Sequence, residues 1–450
     1  MVPCVPVLRA SALASLLLVG VTATARANPA SLVPSAGVED RHALFDLEYR
    51  YELDSSTVAR EGLVPGTDPT SPIRRTDDLA FHQFRHVLTP RAEIGVFRDT
   101  WVSLALPIII TQARELELAD GIDRSTSTTL RDGLLPMAGF DARDPSAAPP
   151  GDLVFRGVGR AGLDQVHVGI GDAPMNQDRD DTKPTWKLRA DLLLAVGKVM
   201  KFDSMDPSSE TGVSRGVHEV RIATSFDRRF RWAEGWFELF WRRPIATKSG
   251  SLFADPGFGA TNTSPSQVAG ISAGLELYAV NDKDTGNRIS LDLGGKAIAH
   301  FEGREYTEMW EVFAFAGDAR RSGPLVLDRD PVDPALQALS HPGISNIENY
   351  LETTGQIAVR AALGSNVRFG AVVDLTWKTD HAISFADAGV DLPTCGTASG
   401  PCENDNNDLV DPNTVEVNPL HVPLIDLVGH RYLSQDNFAF SLGVQGTVTF

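Results

Sequence analysis

Past residue 21 this 450-residue chain has no apolar run approaching the eighteen or so residues that a membrane-crossing helix needs. Any membrane span must therefore be built from strands closed into a barrel, the other structure that pairs all of its backbone in lipid. Cysteine is scarce, with three in all, too few for a scaffold held by disulfides. Basic residues are outnumbered, 41 against 59 acidic ones, which argues against nucleic acid as a partner, since phosphates call for Lys and Arg. Charged residues still make up 22% of the chain and the mean hydropathy is only −0.11. That balance fits neither a disordered chain nor a helical membrane protein.

At the start of the chain, Arg9 precedes the apolar run ALASLLLVGV (12–21), and Ala25-Arg26-Ala27 supplies small residues at a cleavage position. Residues 1–27 read as a secretory signal peptide, too short to be an anchor, and 28–41 as a short periplasmic segment. Cys4 lies upstream of the apolar run, so it is not a lipidation site. Loss of Arg9 and Arg26 takes the net charge from −18 to −20. Cys395 and Cys402, in CGTASGPC, are expected to close a small disulfide ring in an oxidising compartment. Two thiolates alone do not make a zinc centre, and neither a metal nor a cofactor is expected.

What the chain has in quantity is period-2 alternation. In HALFDLEYRYELD (42–54), Phe45, Leu47, Tyr49, Tyr51 and Leu53 share one face while Asp46, Glu48, Arg50 and Glu52 share the other. PTWKLRADLLLAV (184–196), HEVRIATSF (218–226), GISAGLELYAV (270–280), RISLDLGGKAIAHF (288–301), YLETTGQIAVRAAL (350–363), VRFGAVVDLTWKT (367–379) and FAFSLGVQGTVTF (438–450) repeat the pattern. Soluble sandwiches also alternate, but their strands average nearer six residues, whereas these have the ten or so needed to cross a bilayer at a tilt. The connections alternate too. RDT (98–100), NQDRDDTK (176–183), DRRFR (227–231), NDKDTG (281–286) and GSN (364–366) are short, and long stretches near 55–77, 119–159, 198–213, 248–266, 303–346 and 386–435 lie between them.

Short turns on one side and long loops on the other predict an all-β transmembrane antiparallel up-and-down barrel in the cell outer membrane, occupying 42–450. About twelve strands are expected: 42–54, 80–97, 101–118, 161–174, 184–197, 215–227, 232–247, 267–280, 287–302, 347–363, 367–385 and 436–450. The inner face then carries Asp46, Glu48, Arg50, Glu52, Lys187, Arg189, Asp191, Glu219, Arg221, Glu238, Arg242, Glu276, Asp292, Lys296, Glu352, Arg360, Arg368, Asp374 and Lys378. Two readings stay open: a lumen whose charges satisfy one another, or a narrow pore whose charges sort solutes. LDRDPVDP (327–334) and CENDNNDLVDPN (402–413) are dense in oxygens that suit calcium, but neither has the glycine and terminal glutamate of an EF-hand loop, so they read first as solvated acidic loops, with a bound divalent cation as the alternative. REYTEMWEVFAF (304–315) and DPALQALS (333–340) suit short helices, in a loop long enough to fold inward.

The closing strand, with Phe450 and Val448 on its apolar parity, resembles the C-terminal signal read by the barrel-assembly machinery of Gram-negative bacteria. AEIGVFRDTWVSLALPI (92–108) resembles a hairpin found in many poorly characterised, transporter-like outer-membrane barrels. IGDAPMNQDRDDTKPTW (170–186) and HFEGREYTEMWE (300–311) are similar in style. The resemblance implies a channel-like protein and no substrate; the function expected is a channel or transporter for small solutes, in contact with outer-membrane lipid and lipopolysaccharide. It departs from fatty-acid transporters of this general type, which carry a long N-terminal plug where this chain has only 28–41. The alternatives are an adhesive or structural anchor acting through its long loops, and an outer-membrane lipid hydrolase. His218 and His300 lie near strand ends but align with no serine, so catalysis is not expected.

The topology predicts that an epitope inserted at Thr263 or Asp405 is labelled on intact cells, while one at Ser365 is labelled only after the envelope is permeabilised. Labelling of Ser365 on intact cells would reverse the orientation.

Overall fold

The computed structural model describes residues 33–35, 43–63, 73–254, 262–282, 284–327, 338–364, 366–386 and 420–450. The expected signal peptide, most of segment 28–41, the Cys395–Cys402 pair and all but Leu327 of the two acidic stretches lie outside them.

Twelve antiparallel strands close into one barrel. They are β1 (Ala43–Leu63), β2 (Ile73–Phe97), β3 in two pieces (Thr100–Ala105 and Ile108–Leu118), β4 (Gln165–Met175), β5 (Thr185–Ala195) and β6 (Val217–Arg229). β7 (Ala233–Thr247), β8 (Val268–Asn281), β9 (Arg288–His300), β10 (Tyr350–Leu363), β11 (Val367–Lys378) and β12 (Tyr432–Thr449) complete the wall. Each strand pairs with the next, and β12 pairs back onto β1 from Leu44 opposite Thr449 to Arg60 opposite Tyr432. Beyond that register the backbone of Phe450 exchanges hydrogen bonds with Ala43, at 2.9 and 3.4 Å. No edge strand is left between them.

The alternation of side chains follows the strands. Phe45 and Leu47 are more than two-fifths exposed on the outside while Leu44 and Asp46 are buried inside. Leu188, Ile222, Ile271, Leu293, Val359 and Val444 continue an exposed apolar belt around the wall. Trp186 stacks on Phe226 at 5.6 Å, and Trp377 meets Phe438 at the same distance. An apolar outer belt on a closed antiparallel barrel is the form an outer-membrane protein takes.

Several strands differ from their expected lengths. β1 runs to Leu63 and β2 starts at Ile73, so most of the 55–77 stretch is a tall hairpin instead of a loop. Val58, Ala59, Arg60 and Glu61 are buried in succession, because above the bilayer both faces of this hairpin meet protein and the period-2 contrast disappears. β3 breaks at Leu106–Pro107, where proline cannot donate to the ladder. Its upper piece then pairs with short strands at Leu153–Arg156 and Arg160–Leu163. Past Lys378, the eleventh segment resumes only as His381–Ser384, and DPALQALS is not helical where it is described, at 338–340.

Inside the short-turn half of the barrel, the ring of Trp101 lies over Gly171 of β4. A Cβ there would sit 2.2–2.8 Å from three of the ring's carbons. Gly171→Ala is therefore expected to destabilise the barrel by about 1–3 kcal/mol. Gly235→Ala, where a Cβ meets nothing within 4 Å, is expected to leave it unchanged. The temperature at which the SDS-resistant compact band converts to the unfolded one measures both; equal shifts would contradict the packing described.

Candidate functional site

The barrel interior is charged, and its charges are matched across strands. Arg189 of β5 reaches Asp191 at 2.8 Å and, across the lumen, Glu93 of β2 at 3.3 Å. Arg221 of β6 stands between Asp191 at 3.6 Å and Glu238 of β7 at 2.6 Å. Arg360 of β10 joins Glu276 of β8 at 2.8 Å and pairs closely with Asp292 of β9. Asp374 of β11 takes Lys296 and Arg50 from either side, each at 3.6 Å, and Arg50 also holds Glu48. Arg85 grips Glu52 at 2.6 Å, and Lys378 lies 3.6 Å from Asp54. Asp46 accepts from Thr447 at 2.7 Å. Lys187 is buried, its ammonium 5.8 Å from the Trp101 ring. Glu352 is met by His300 at 3.3 Å, and Arg368 sits half-buried on β11 opposite Thr447. The structure brings these residues together inside the barrel, and most of them are paired with one another.

Above this network the lumen is filled by the connection between β9 and β10. Its two legs, Gly303–Glu305 and Ser345–Ile347, pair with one another. Between them α1 (Trp310–Ala316) lies across the interior with every residue buried. A helix apolar on all sides but for one residue, Glu311, as WEVFAFA is, must be surrounded. Phe313 packs on Phe385 at 5.0 Å and Tyr432 at 5.6 Å, and Phe315 on Phe140 at 4.6 Å. Val58, Leu79, Phe81 and Leu116 of the wall close the cluster.

This inserted plug is tied to the wall by Arg160, which is 1% exposed. Its Nη2 donates to Glu311 of α1 at 2.6 Å and to the Lys201 carbonyl at 2.9 Å. Its Nη1 donates to the carbonyls of Glu210 and Gly212, and the guanidinium lies 5.1 Å from the Trp310 ring. One side chain thereby fastens the β5–β6 connection and the plug to the barrel. On the plug's far side, Ser204 donates to Asp318, which also pairs with Arg320 at 2.8 Å. The hydrogen bond from Arg320 holds the Asp318 carboxyl down to about 2. His341 is pushed down to about 3 by burial, so it is neutral, and its Nδ1 accepts the Gly343 amide at 2.9 Å. Gly343 has φ +89° and passes so close to the Trp310 carbonyl that a Cβ would stand 2.1 Å from it.

Beneath the plug the lumen keeps a cavity of about 150 Å³. Its walls come from β2 (Gln83, Arg85, Val87), β3 (Pro107, Ile109, Gln112, Arg114), the β5–β6 connection and the first leg of the plug (Glu305, Tyr306). Glu219 and Arg242 line it too. Arg85, Arg114, Arg160, Arg215, Glu305 and Glu311 were not anticipated as site residues. Arg85 could have been found from the parity of β2. Arg114 follows the break at Pro107, where counting by twos loses its phase, and the Arg160–Glu311 contact spans 151 residues with no local pattern.

Solved structures similar to this chain are outer-membrane barrels. An outer membrane channel of Pseudomonas putida F1 is 7% identical, over 93% of this chain and 98% of that one, with a TM-score of 0.38. A Pseudomonas aeruginosa FadL homologue is 9% identical over 93% of each chain, TM-score 0.32. A TodX monoaromatic hydrocarbon channel is 8% identical over 94% and 93%, TM-score 0.32. No family model and no curated protein matches the chain. At these scores the likeness carries no argument; closure, belt and alternation do, and they make the chain an outer-membrane barrel.

Removing one partner of a buried ion pair strands the other's charge, at a cost of about 3–5 kcal/mol. Arg160→Met is expected to loosen the plug so that trypsin cleaves after Arg320 and Arg321 while the barrel stays in its compact gel form. Arg160→Met combined with Glu311→Met is expected to restore part of the resistance. Unchanged cleavage in the single variant would show that Arg160 does not hold the plug.

Proposed function

We propose that this protein is a gated outer-membrane channel for small solutes, closed as described here and opened by displacement of the segment between β9 and β10. The observation that carries the reading is the cavity inside the lumen, lined by arginines and carboxylates on one side and by Val87, Ile109, Met200 and Val213 on the other, and capped by an inserted segment. A barrel serving only as an anchor has no use for a hollow of this kind in its centre. The paired charges below it line the lumen with both signs, so a solute can exchange one partner for the next.

The plug's fastening suits a gate. It is held by one buried arginine cluster on one side and by the Ser204–Asp318–Arg320 contacts on the other, and the barrel's ladder runs continuously behind both. Motion of the plug therefore need not open the wall.

Planar-bilayer recording tests this directly. The whole chain is expected to give small, intermittent current steps. A variant with 309–342 replaced by a short Gly-Ser linker is expected to give larger and steady ones, provided it still runs as a compact heat-convertible band. A compact plug-less barrel that conducts nothing would contradict the channel reading.

A further inference from the structure

We infer that the cavity beneath the plug is a binding site for a small monocarboxylate, held by Arg114 and Arg242; the inference rests on the channel reading only for how the solute arrives. Among the charged groups on its wall, Arg215 is matched to Glu305 at 2.9 Å and to Glu219 at 2.8 Å, and Arg85 to Glu52 at 2.6 Å. Arg242 has only a distant share of Glu219, at 3.6 Å.

Arg114 is the exception. Among the described residues no carboxylate oxygen comes within 4.0 Å of its guanidinium, which donates through Nη2 to the Thr307 carbonyl at 3.0 Å. It is otherwise set against the rings of Phe81 and Trp310, at 5.1 and 5.8 Å. The plug's nearby acids are engaged elsewhere: Glu311 by Arg160, and Glu308 as acceptor from Ser434 at 3.0 Å. Arg114 and Arg242 are each 7% exposed, and the Nε of each is buried without a hydrogen-bond partner.

A buried guanidinium on a cavity wall with no carboxylate beside it is costly, and the group that compensates it best is a planar carboxylate. Val87, Ile109, Met200 and Val213 supply an apolar side to the same space. An engineered cavity of about 150 Å³ takes up benzene, so the occupant is a carboxylate with a short alkyl chain or a single ring. Asp164 also lines the cavity, with Oδ1 buried and unpartnered. The other guanidinium groups on the wall are already matched to acids, so a second carboxylate on the occupant would find no cation to meet, which restricts the class to monocarboxylates.

Isothermal titration of the detergent-solubilised whole protein with butyrate, and with butyramide as the uncharged control, tests the assignment. Butyrate is expected to bind saturably and butyramide not. Arg114→Gln is expected to weaken butyrate at least 10-fold, and Arg288→Gln, at the short-turn end of β9, to leave it unchanged. Equal binding of acid and amide, or wild-type affinity in a compact Arg114→Gln barrel, overturns the site. The two readings separate cleanly. Butyrate binding by a protein that passes no current keeps the site and removes the channel, whereas current without butyrate binding removes the site alone.

Discussion

Everything in this molecule follows from the rule that a backbone N–H or C=O facing hydrocarbon cannot be left unpaired. A helix meets the rule within itself, and this chain lacks the apolar runs for that. Strands meet it only when the last returns to the first, so the pairing of β12 with β1 is the contact on which the others depend. Closure then dictates what each strand can carry. One parity must suit lipid and the other is confined to a lumen, which is why Phe45 and Leu47 alternate with Asp46 and Glu48 along a single strand.

The interior reverses the ordinary relation between burial and polarity. In a soluble domain a row of buried charges would be expelled; here the outer face is already committed to lipid, so polar groups collect inside and must compensate one another. Most do, through acids shared between two cations, as Asp374 and Asp191 are. Apolar packing has moved to the loop-bearing half, where α1 and its aromatic surroundings form the only extensive hydrophobic core among the described residues. The polar and apolar zones meet at Arg160 and Arg114, cations of the wall lying against Trp310 of the plug. The cavity lies at this boundary, as expected where neither kind of packing is complete.

The strands were legible in the sequence because lipid imposes a sharp two-residue contrast on them, and all twelve were found within a few residues of their cores. The contrast faded wherever lipid was no longer the neighbour. At Val58 to Glu61 consecutive residues are buried, so β1 seemed to end near residue 54. The length of the β9–β10 connection suggested an inward fold, and MWEVFAF suggested a helix, but neither carried information on what the helix would touch. Contacts such as Arg160–Glu311 depend on where distant loops converge after closure. No spacing along the chain encodes that, and so the parts that bear most on function were the least visible.

The central claim is that the inserted segment is a gate and not a permanent filling. Ser204 and Asp318 are hydrogen-bonded and buried, which makes them a suitable pair for a reversible tether. With Ser204→Cys and Asp318→Cys together, channel recordings under oxidising conditions should fall silent and those after addition of reductant should recover, while the parent protein responds to neither treatment. Equal currents from the oxidised and reduced double variant, with the new disulfide confirmed by mass spectrometry, would contradict the account.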